Sequence, residues 1–184
     1  MRIAILGHSG SGKSTLAREL GQRYDLPVLH FDAIHFRPGW VETTREEKRE
    51  KVRAFLAAHP EDWVIDGNYL RVCPEKRFSA ADVILYLDFP RGLCLLRVLR
   101  RWRENRGKTR PDMAPGCPEK VDWAFVRWVL WDGRRKKRRG PMAALGAEYP
   151  AAYVRLTSPR ALERWRRQFY AEHPAREKKQ EGQA

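Results

Sequence analysis

Short apolar runs recur along the chain, separated by longer stretches in which apolar residues return every three or four positions. The runs cover residues 3–6, 27–31, 63–65, 83–87 and 153–156. Runs of this length are typical of buried strands, and the intervals between them leave room for helices. The alternation predicts parallel βαβ units and therefore an α/β fold.

Five segments have the periodicity of amphipathic helices. The first follows the first apolar run and carries Leu16, Ala17, Leu20 and Tyr24 at steps of three and four. The others cover residues 45–58, 90–106, 119–139 and 159–170. Thr43 or Thr44 is the expected N-cap of the second helix, with Glu46 and Glu47 in its first turn, where negative charge is favourable.

A loop rich in proline and glycine interrupts the helical pattern at residues 107–118. Three prolines and two glycines make helix unfavourable there. The helix predicted after it places Trp123 and Trp131 near one face, which we interpret as core or hinge packing and not as a platform for bases. Two helices around a basic loop predict a movable lid at about residues 97–139.

Length and composition favour one compact domain. A chain of 184 residues with 42% apolar residues can build one sizeable core, which we place at residues 1–172, followed by a disordered tail at 173–184. No apolar run approaches 18 residues, so no spanning helix and no membrane partner are expected. The three cysteines at wide spacing fit neither a disulfide framework nor a zinc site, and no secretory signal is expected, so we predict a cytoplasmic protein.

The sequence between the first strand and the first helix is a complete G-x-x-x-x-G-K-S motif. Its glycines permit a turn whose backbone N–H groups face phosphate oxygens, its lysine reaches the β and γ phosphates, and its serine hydroxyl can hold Mg²⁺. The motif predicts that ATP binds here with Mg²⁺. The residues expected to contact the nucleotide are Gly7, Ser9, Gly10, Ser11, Gly12, Lys13, Ser14 and Thr15. The motif alone leaves open whether the γ phosphate goes to water or to another substrate.

Two aspartates follow predicted strands at the edge where a ligand of a parallel sheet binds. Asp32 ends the second apolar run and Asp66 ends the third. Carboxylates there can orient water on Mg²⁺ or accept a proton from an attacking hydroxyl, so both are catalytic candidates and Asp66 is also a metal candidate. Either aspartate could instead be a cap or turn residue. His30 and His35 flank Asp32 and could contact a substrate or be structural, whereas His8 occupies a variable position of the motif.

Positive charge is concentrated in the predicted lid. Residues 97–139 hold fifteen basic and five acidic residues, and so carry +10 of the net charge of +14. Phosphoryl transfer needs positive charge on the migrating group, which lids commonly supply as arginines. We expect this role from a group that includes Arg97, Arg101 and Arg135. The same charge could attract a nucleic acid backbone or be a solvated face.

Four segments together resemble the bacterial DNA topology modulation protein family, which is similar to adenylate kinase. They are the phosphate-binding motif, residues 32–40, residues 65–69 and residues 109–119. The resemblance implies a three-layer P-loop fold of the nucleoside-monophosphate-kinase type, with the motif's strand in the middle of a five-stranded parallel sheet. It also implies ATP and Mg²⁺, Asp66 near the metal and acceptor, and a turn at residues 156–159, including Pro159, facing the adenine.

One departure from adenylate kinase bears on the acceptor. After Asp66 and Gly67 an adenylate kinase continues Phe-Pro-Arg, but this chain has Asn68, Tyr69 and Leu70. The arginine that binds AMP is therefore not in its place. We expect a kinase that transfers the γ phosphate of ATP to a small-molecule or nucleotide acceptor, in a monomer or homodimer. An ATP-dependent nucleic-acid-binding protein and a nucleotide switch with little catalysis are the alternatives.

Overall fold

The centre of the molecule is a five-stranded parallel sheet, seen in a computed structural model that describes residues 1–175. The strands of the chain are β1 Arg2–Gly7, β2 Val28–His30, β3 Phe36–Arg37, β4 Val41–Glu42, β5 Trp63–Asp66, β6 Val83–Leu87 and β7 Tyr153–Leu156. The main sheet has the order β2-β5-β1-β6-β7, and all its neighbours are parallel. All five predicted strands are confirmed, and β1 lies in the middle.

Helices cover both faces of this sheet. They are α1 Lys13–Tyr24, α2 Phe31–His35, α3 Arg45–Ala58, α4 Arg91–Glu104, α5 Trp123–Leu130, α6 Lys136–Glu148 and α7 Pro159–Glu172. Alternate residues of β1 point to opposite sides, so Ile3 and Ile5 join one buried cluster and Ala4 and Leu6 join the other. Burial on both faces explains why the strands appear in the sequence as continuous apolar runs.

The clearest helix prediction is confirmed at both ends. α3 spans Arg45–Ala58 and begins with a capping box, in which Thr44 accepts a hydrogen bond from the backbone N–H of Glu47 and the Glu47 side chain accepts one from the N–H of Thr44.

At the other end of the chain, His173 is the C-cap of α7 and not the start of a tail, because its carbonyl accepts a hydrogen bond from the Tyr24 hydroxyl. The rest of the predicted tail, from residue 176, lies outside the described residues.

The predicted helix at 119–139 is wrong as a single element. α5 ends at Leu130, a short 3₁₀ turn follows at Asp132–Arg134, and α6 begins only at Lys136. The Asp-Gly pair at 132–133 is turn chemistry that competes with helix. Trp123 and Trp131 were expected to be buried, but their exposed fractions are 73% and 49%, since α5 packs through Phe125 and Val129 instead.

The loop at residues 107–119, called here the lid loop, rests on a small antiparallel hairpin that the sequence did not predict. The hairpin segment, residues 36–42, contains β3 and β4. The N–H of Gly39 donates to the carbonyl of Gly116 at 3.0 Å, and the Cys117 thiol donates to the carbonyl of Arg37 at 3.2 Å. The lid loop is therefore anchored to the opposite wall of the cleft at the carboxyl edge of the sheet.

Within residues 1–175, every helix is too short or too polar to cross a bilayer.

Candidate active site

The glycine-rich loop at residues 7–14 connects β1 to α1, and two of its glycines lie in tight contact with the backbone of neighbouring elements. Gly7, Gly10 and Gly12 have φ angles of 152°, 79° and 94°, which L side chains rarely adopt. A Cβ atom on Gly10 would lie 2.2 Å from the backbone oxygen of Cys94. Because α1 begins at Lys13, the loop also ends at the N–H groups of a helix terminus. Such a cradle is suited to phosphate oxygens.

Asp66 ends β5 beside the first turn of α1 and is only 4% exposed. His30, at the end of β2, lies with its Nδ1 2.7 Å from Oδ2 of Asp66. Burial raises the pKa of Asp66, but the His30 hydrogen bond, the Lys13 charge and a Ser14 hydrogen bond outweigh burial, so the pKa lies below its usual range. The structure thus brings Lys13, Ser14 and an ionised Asp66 together, as the sequence predicted.

Two residues that the sequence analysis did not single out fix the turn after Asp66. The Asn68 side chain accepts a hydrogen bond from the N–H of Gly7 at 2.8 Å and donates one to its carbonyl at 2.6 Å. The fully buried Arg77 donates to the carbonyls of Gly67, Tyr69 and Val72, and burial lowers its pKa to about 9. These contacts hold the end of β5 against the start of the glycine-rich loop.

A cavity of about 710 Å³ opens on one side of Lys13. Its floor is the glycine-rich loop, and its walls are the hairpin segment and the lid. The residues that line it include Asp32, Trp40, Tyr69, Arg101, Arg110 and Lys120. We call it the acceptor cavity.

Asp32 was predicted to end a strand. It lies instead in the short helix α2, two residues beyond the end of β2. The Tyr69 hydroxyl donates to its Oδ1 at 3.3 Å. Burial raises the pKa of Tyr69, and the Asp32 charge raises it further, so this phenol stays protonated. Among residues 1–175, Asp32 takes part in no ion pair, so its carboxylate remains open to the acceptor cavity.

A second cavity of about 700 Å³ lies on the other side of Lys13, between the glycine-rich loop and the start of α7. We call it the donor cavity. Thr15 and Pro159, both predicted nucleotide contacts, line it, and so does Arg97. The Arg97 guanidinium donates to the carbonyl of Ser11 at 3.1 Å. Arg97 therefore contacts the glycine-rich loop on the side of the donor cavity.

The predicted lid arginines occupy different places. Arg101 lines both cavities and pairs with Glu119 at 2.9 Å. Arg110 pairs with Asp112 at 2.6 Å and also with Glu119. Arg135, by contrast, is 65% exposed, pairs with Asp132 on the surface at 2.8 Å and lines neither cavity. The structure brings Arg97 and Arg101 to the loop and leaves Arg135 outside.

A buried polar network behind the loop was also missed. Asp88 follows β6 and pairs with Arg139 at the start of α6 and with Arg155 on β7. His8, taken for a variable position, is buried with its Nε2 3.3 Å from Asp88. Burial and the Arg134 charge lower the pKa of His8 to about 4, so it is neutral near pH 7. The network couples the loop to the lid helix α6.

The residues present fit a magnesium ion only together with phosphate. Among residues 1–175, no group of three or more histidine, cysteine or acidic side chains could hold a metal. The Ser14 hydroxyl and the ionised Asp66, joined by a hydrogen bond, are hard oxygen groups of the kind that Mg²⁺ prefers. Mg²⁺ sites with few protein ligands are usual where a nucleotide phosphate supplies the others.

Comparisons with known proteins establish the fold alone. No family model matches the sequence, and no curated protein matches it. Among solved structures, the chain is similar to an uncharacterised protein from Eubacterium ventriosum, with a TM-score of 0.51 and 15% identity over 94% of this chain and 98% of that one. Identity this low carries no chemistry. The α/β fold with its five-stranded parallel sheet is compatible with a P-loop fold.

Proposed function

We propose that this protein is an ATP-dependent phosphotransferase with a P-loop fold of the nucleoside-monophosphate-kinase type. The observation that carries the proposal is the setting of the glycine-rich loop. Its crowded backbone ends at Lys13 and Ser14, and Asp66, with a lowered pKa, lies beside both. A positive side chain, a hydroxyl and a carboxylate around a phosphate cradle are the parts that phosphoryl transfer requires.

The two cavities divide the substrates between them. The triphosphate would lie along the loop with its base in the donor cavity, against Pro159 and Arg97, and its γ phosphate at Lys13. Mg²⁺, when held by Ser14 and Asp66, would neutralise charge on the β and γ phosphates. Lys13 donates to the migrating group, and Arg101 is the lid arginine placed to do so from the opposite side, since it lines both cavities. The lid loop excludes water from the acceptor cavity.

The proposal is tested by Lys13→Ala and Asp66→Asn. Each variant should lose about 100-fold or more of acceptor-dependent ADP production, because each removes a charge beside the transferring phosphate. Lys51→Ala is the control, since Lys51 is an exposed lysine of α3. ADP release with Mg²⁺-ATP measures turnover, and thermal shift with ATP measures binding. Turnover in either variant at the level of Lys51→Ala would contradict the proposal.

Nucleic acid binding with ATP is a second candidate, favoured by the exposed aromatic and basic residues of the lid. Trp123 and Trp131 are exposed, and so are the basic residues 135–138, which follow Trp131 in the sequence. Indole rings next to cations can stack on single-stranded bases. A 20-nucleotide single strand, titrated with salt, tests this function. Replacing residues 135–138 by glutamine should flatten the salt dependence by about 0.7 for each phosphate that the variant no longer binds, and an unchanged slope would exclude this surface.

A further inference from the structure

The hairpin end of the acceptor cavity contains a tryptophan with two unusual features. Trp40 has a φ of 66°, a left-handed conformation that is rare and costly for a bulky residue. Its indole Nε1 is buried and has no hydrogen-bond partner among the described residues. A strained backbone and an unused buried donor on a cavity wall are typical of a ligand contact.

The wall around Trp40 is suited to a ring-shaped ligand. Trp40 packs edge-on against Phe36, with their ring centroids 5.1 Å apart, and both pack with Met113 of the lid loop. Lys120 lies with its Nζ 5.1 Å from the Trp40 ring centroid. An aromatic and apolar wall of this kind is suited to the carbon face of a ring compound.

The acids at the cavity floor have separate roles. Asp66 is buried and already bonded to His30 and Ser14, so it is not open to a proton from a substrate. Within the part of the chain that the structure describes, Asp32 has only the Tyr69 hydroxyl as a hydrogen-bond partner. A carboxylate with a free oxygen that faces a substrate cavity is suited to remove a proton from an alcohol.

The cations of this cavity are poorly arranged for a phosphate acceptor. Arg101, which is assigned to the γ phosphate of ATP, and Arg110 are paired with Glu119 and Asp112, so neither is free for a second phosphate. Lys120 lies over the Trp40 ring, and Arg138 lies over Trp128. Phosphate monoesters are normally held by several converging donors, often a bidentate arginine, and a dianion would also face the negative charge of Asp32.

We propose that the acceptor is a hydroxyl group on a neutral ring compound such as a cyclic polyol, sugar or nucleoside, stacked on Trp40, with Asp32 as its catalytic base. This inference rests on the proposed phosphotransferase function. Asp32 takes the hydroxyl proton, and the acceptor oxygen forms a bond to the γ phosphorus of ATP. The bond from that phosphorus to the β–γ bridging oxygen breaks, and its electron pair leaves with ADP.

The type of bond formed tests the acceptor class directly. The full chain with Mg²⁺-ATP is incubated with a hydroxyl panel of glucose, ribose, myo-inositol and adenosine, and separately with a phosphate panel of AMP, CMP, GMP and UMP. Phosphorus NMR distinguishes a phosphate monoester, which the hydroxyl panel would yield, from a phosphoanhydride. The proposal expects a monoester with at least one member of the first panel and no anhydride with the second.

Two variants test the residues, each with a matched control. Asp32→Asn should lower kcat about 100-fold to 10,000-fold while leaving the thermal shift by ATP unchanged, and Glu50→Gln, an exposed acid on α3, is its control. Trp40→Phe should raise KM for the acceptor about threefold without changing KM for ATP, since it keeps a ring but presents a smaller aromatic surface to the ligand. Trp123→Phe is its control, because Trp123 is exposed and lines neither cavity.

The outcomes separate this inference from the proposed function. An anhydride product, no product from the first panel, or an Asp32→Asn variant as fast as Glu50→Gln would overturn the inference even where Lys13→Ala abolishes turnover. If Asp32→Asn fails to fold, Asp32→Ser, which also lacks the carboxylate, replaces it, and a loss in kcat under 10-fold with a normal ATP shift overturns the inference equally. Failure of the proposed function is a different result: the wild-type protein would show no thermal shift with ATP, or Lys13→Ala would turn over as fast as Lys51→Ala.

Discussion

The donor and acceptor halves of the site are built by different means. The donor half is mainly a backbone structure, in which Gly7 and Gly10 lie against neighbouring main-chain atoms and the Asn68 side chain bonds to the backbone of Gly7. The acceptor half depends on side chains whose partners lie far away in the sequence, such as Arg101 with Glu119 and Cys117 with the backbone carbonyl of Arg37. A backbone cradle tolerates little change, whereas a wall of side chains can be altered without loss of the fold. This division suits an enzyme with a fixed donor and an acceptor set by its lid.

Glycine-to-alanine substitutions at Gly10 and Gly39 should show the largest difference between the donor half and the acceptor half. The φ angles are nearly equal, 79° and 78°, but a Cβ on Gly10 meets the backbone oxygen of Cys94 at 2.2 Å, and one on Gly39 meets nothing within 4 Å. Gly39→Ala should cost about 1 kcal/mol of backbone strain. Gly10→Ala must also displace main chain, so we expect ATP affinity to fall about 100-fold or more, a loss of about 2.8 kcal/mol.

Thermal unfolding and ATP titration measure both variants. Equal ATP affinity in Gly10→Ala and Gly39→Ala would show that the loop moves as freely as the hairpin segment. The division into a rigid half and an adaptable half would then be wrong.

The same division explains what the sequence could predict. The strands, α3 and the glycine-rich loop follow from local patterns, because an apolar run, a capping residue and the motif each act within a few positions. The lid depended on pairs such as Arg139 with Asp88, fifty-one residues apart, and no local pattern reports such pairs. Arg135 and Arg139 looked alike in one basic run, yet one meets a surface acid and the other a buried one.

Asp88→Asn should weaken the connection between the two halves. It removes the charge that holds Arg139 of the lid and Arg155 of β7, and the loss of charged hydrogen bonds should lower the free energy of unfolding by about 1–3 kcal/mol. Asp132→Asn is the control, since Asp132 also pairs with two arginines but on the surface, where ion pairs contribute about 0–1 kcal/mol. Chemical denaturation measures both. Equal losses of unfolding free energy would show that Asp88 stabilises the protein no more than a surface ion pair does.

The stability of the folded protein should also change with pH in a defined direction. Burial raises the pKa of Asp88, but hydrogen bonds from Arg139 and Arg155 outweigh burial and lower it from 3.8 to about 2. The stabilisation is therefore complete above pH 3.8 and is lost as the pH falls towards 2. His8 acts over a higher range, because its pKa in the folded protein is about 4 against 6.5 in the unfolded chain, so stability declines as the pH falls from 6.5 towards 4. Asp88→Asn should make the lower of these two declines shallower, and the part that remains comes from other carboxyls with lowered pKa values, such as Asp66 and Asp82.

The contact between the lid loop and the hairpin segment should give the smallest effect, and two glycines of the lid loop isolate it. Gly116 and Gly107 have φ angles of 73° and 74°, but a Cβ on Gly116 would lie 2.9 Å from Cβ of Pro38, whereas one on Gly107 meets nothing within 4 Å. Alanine should cost about 1 kcal/mol at either position through strain. Gly116→Ala should also push the lid loop away from the hairpin segment and raise KM for the acceptor about threefold, with KM for ATP unchanged. Steady-state kinetics on both substrates decide the matter. A rise in both KM values, or in neither, would mean that the lid loop does not set the acceptor half independently of the donor half.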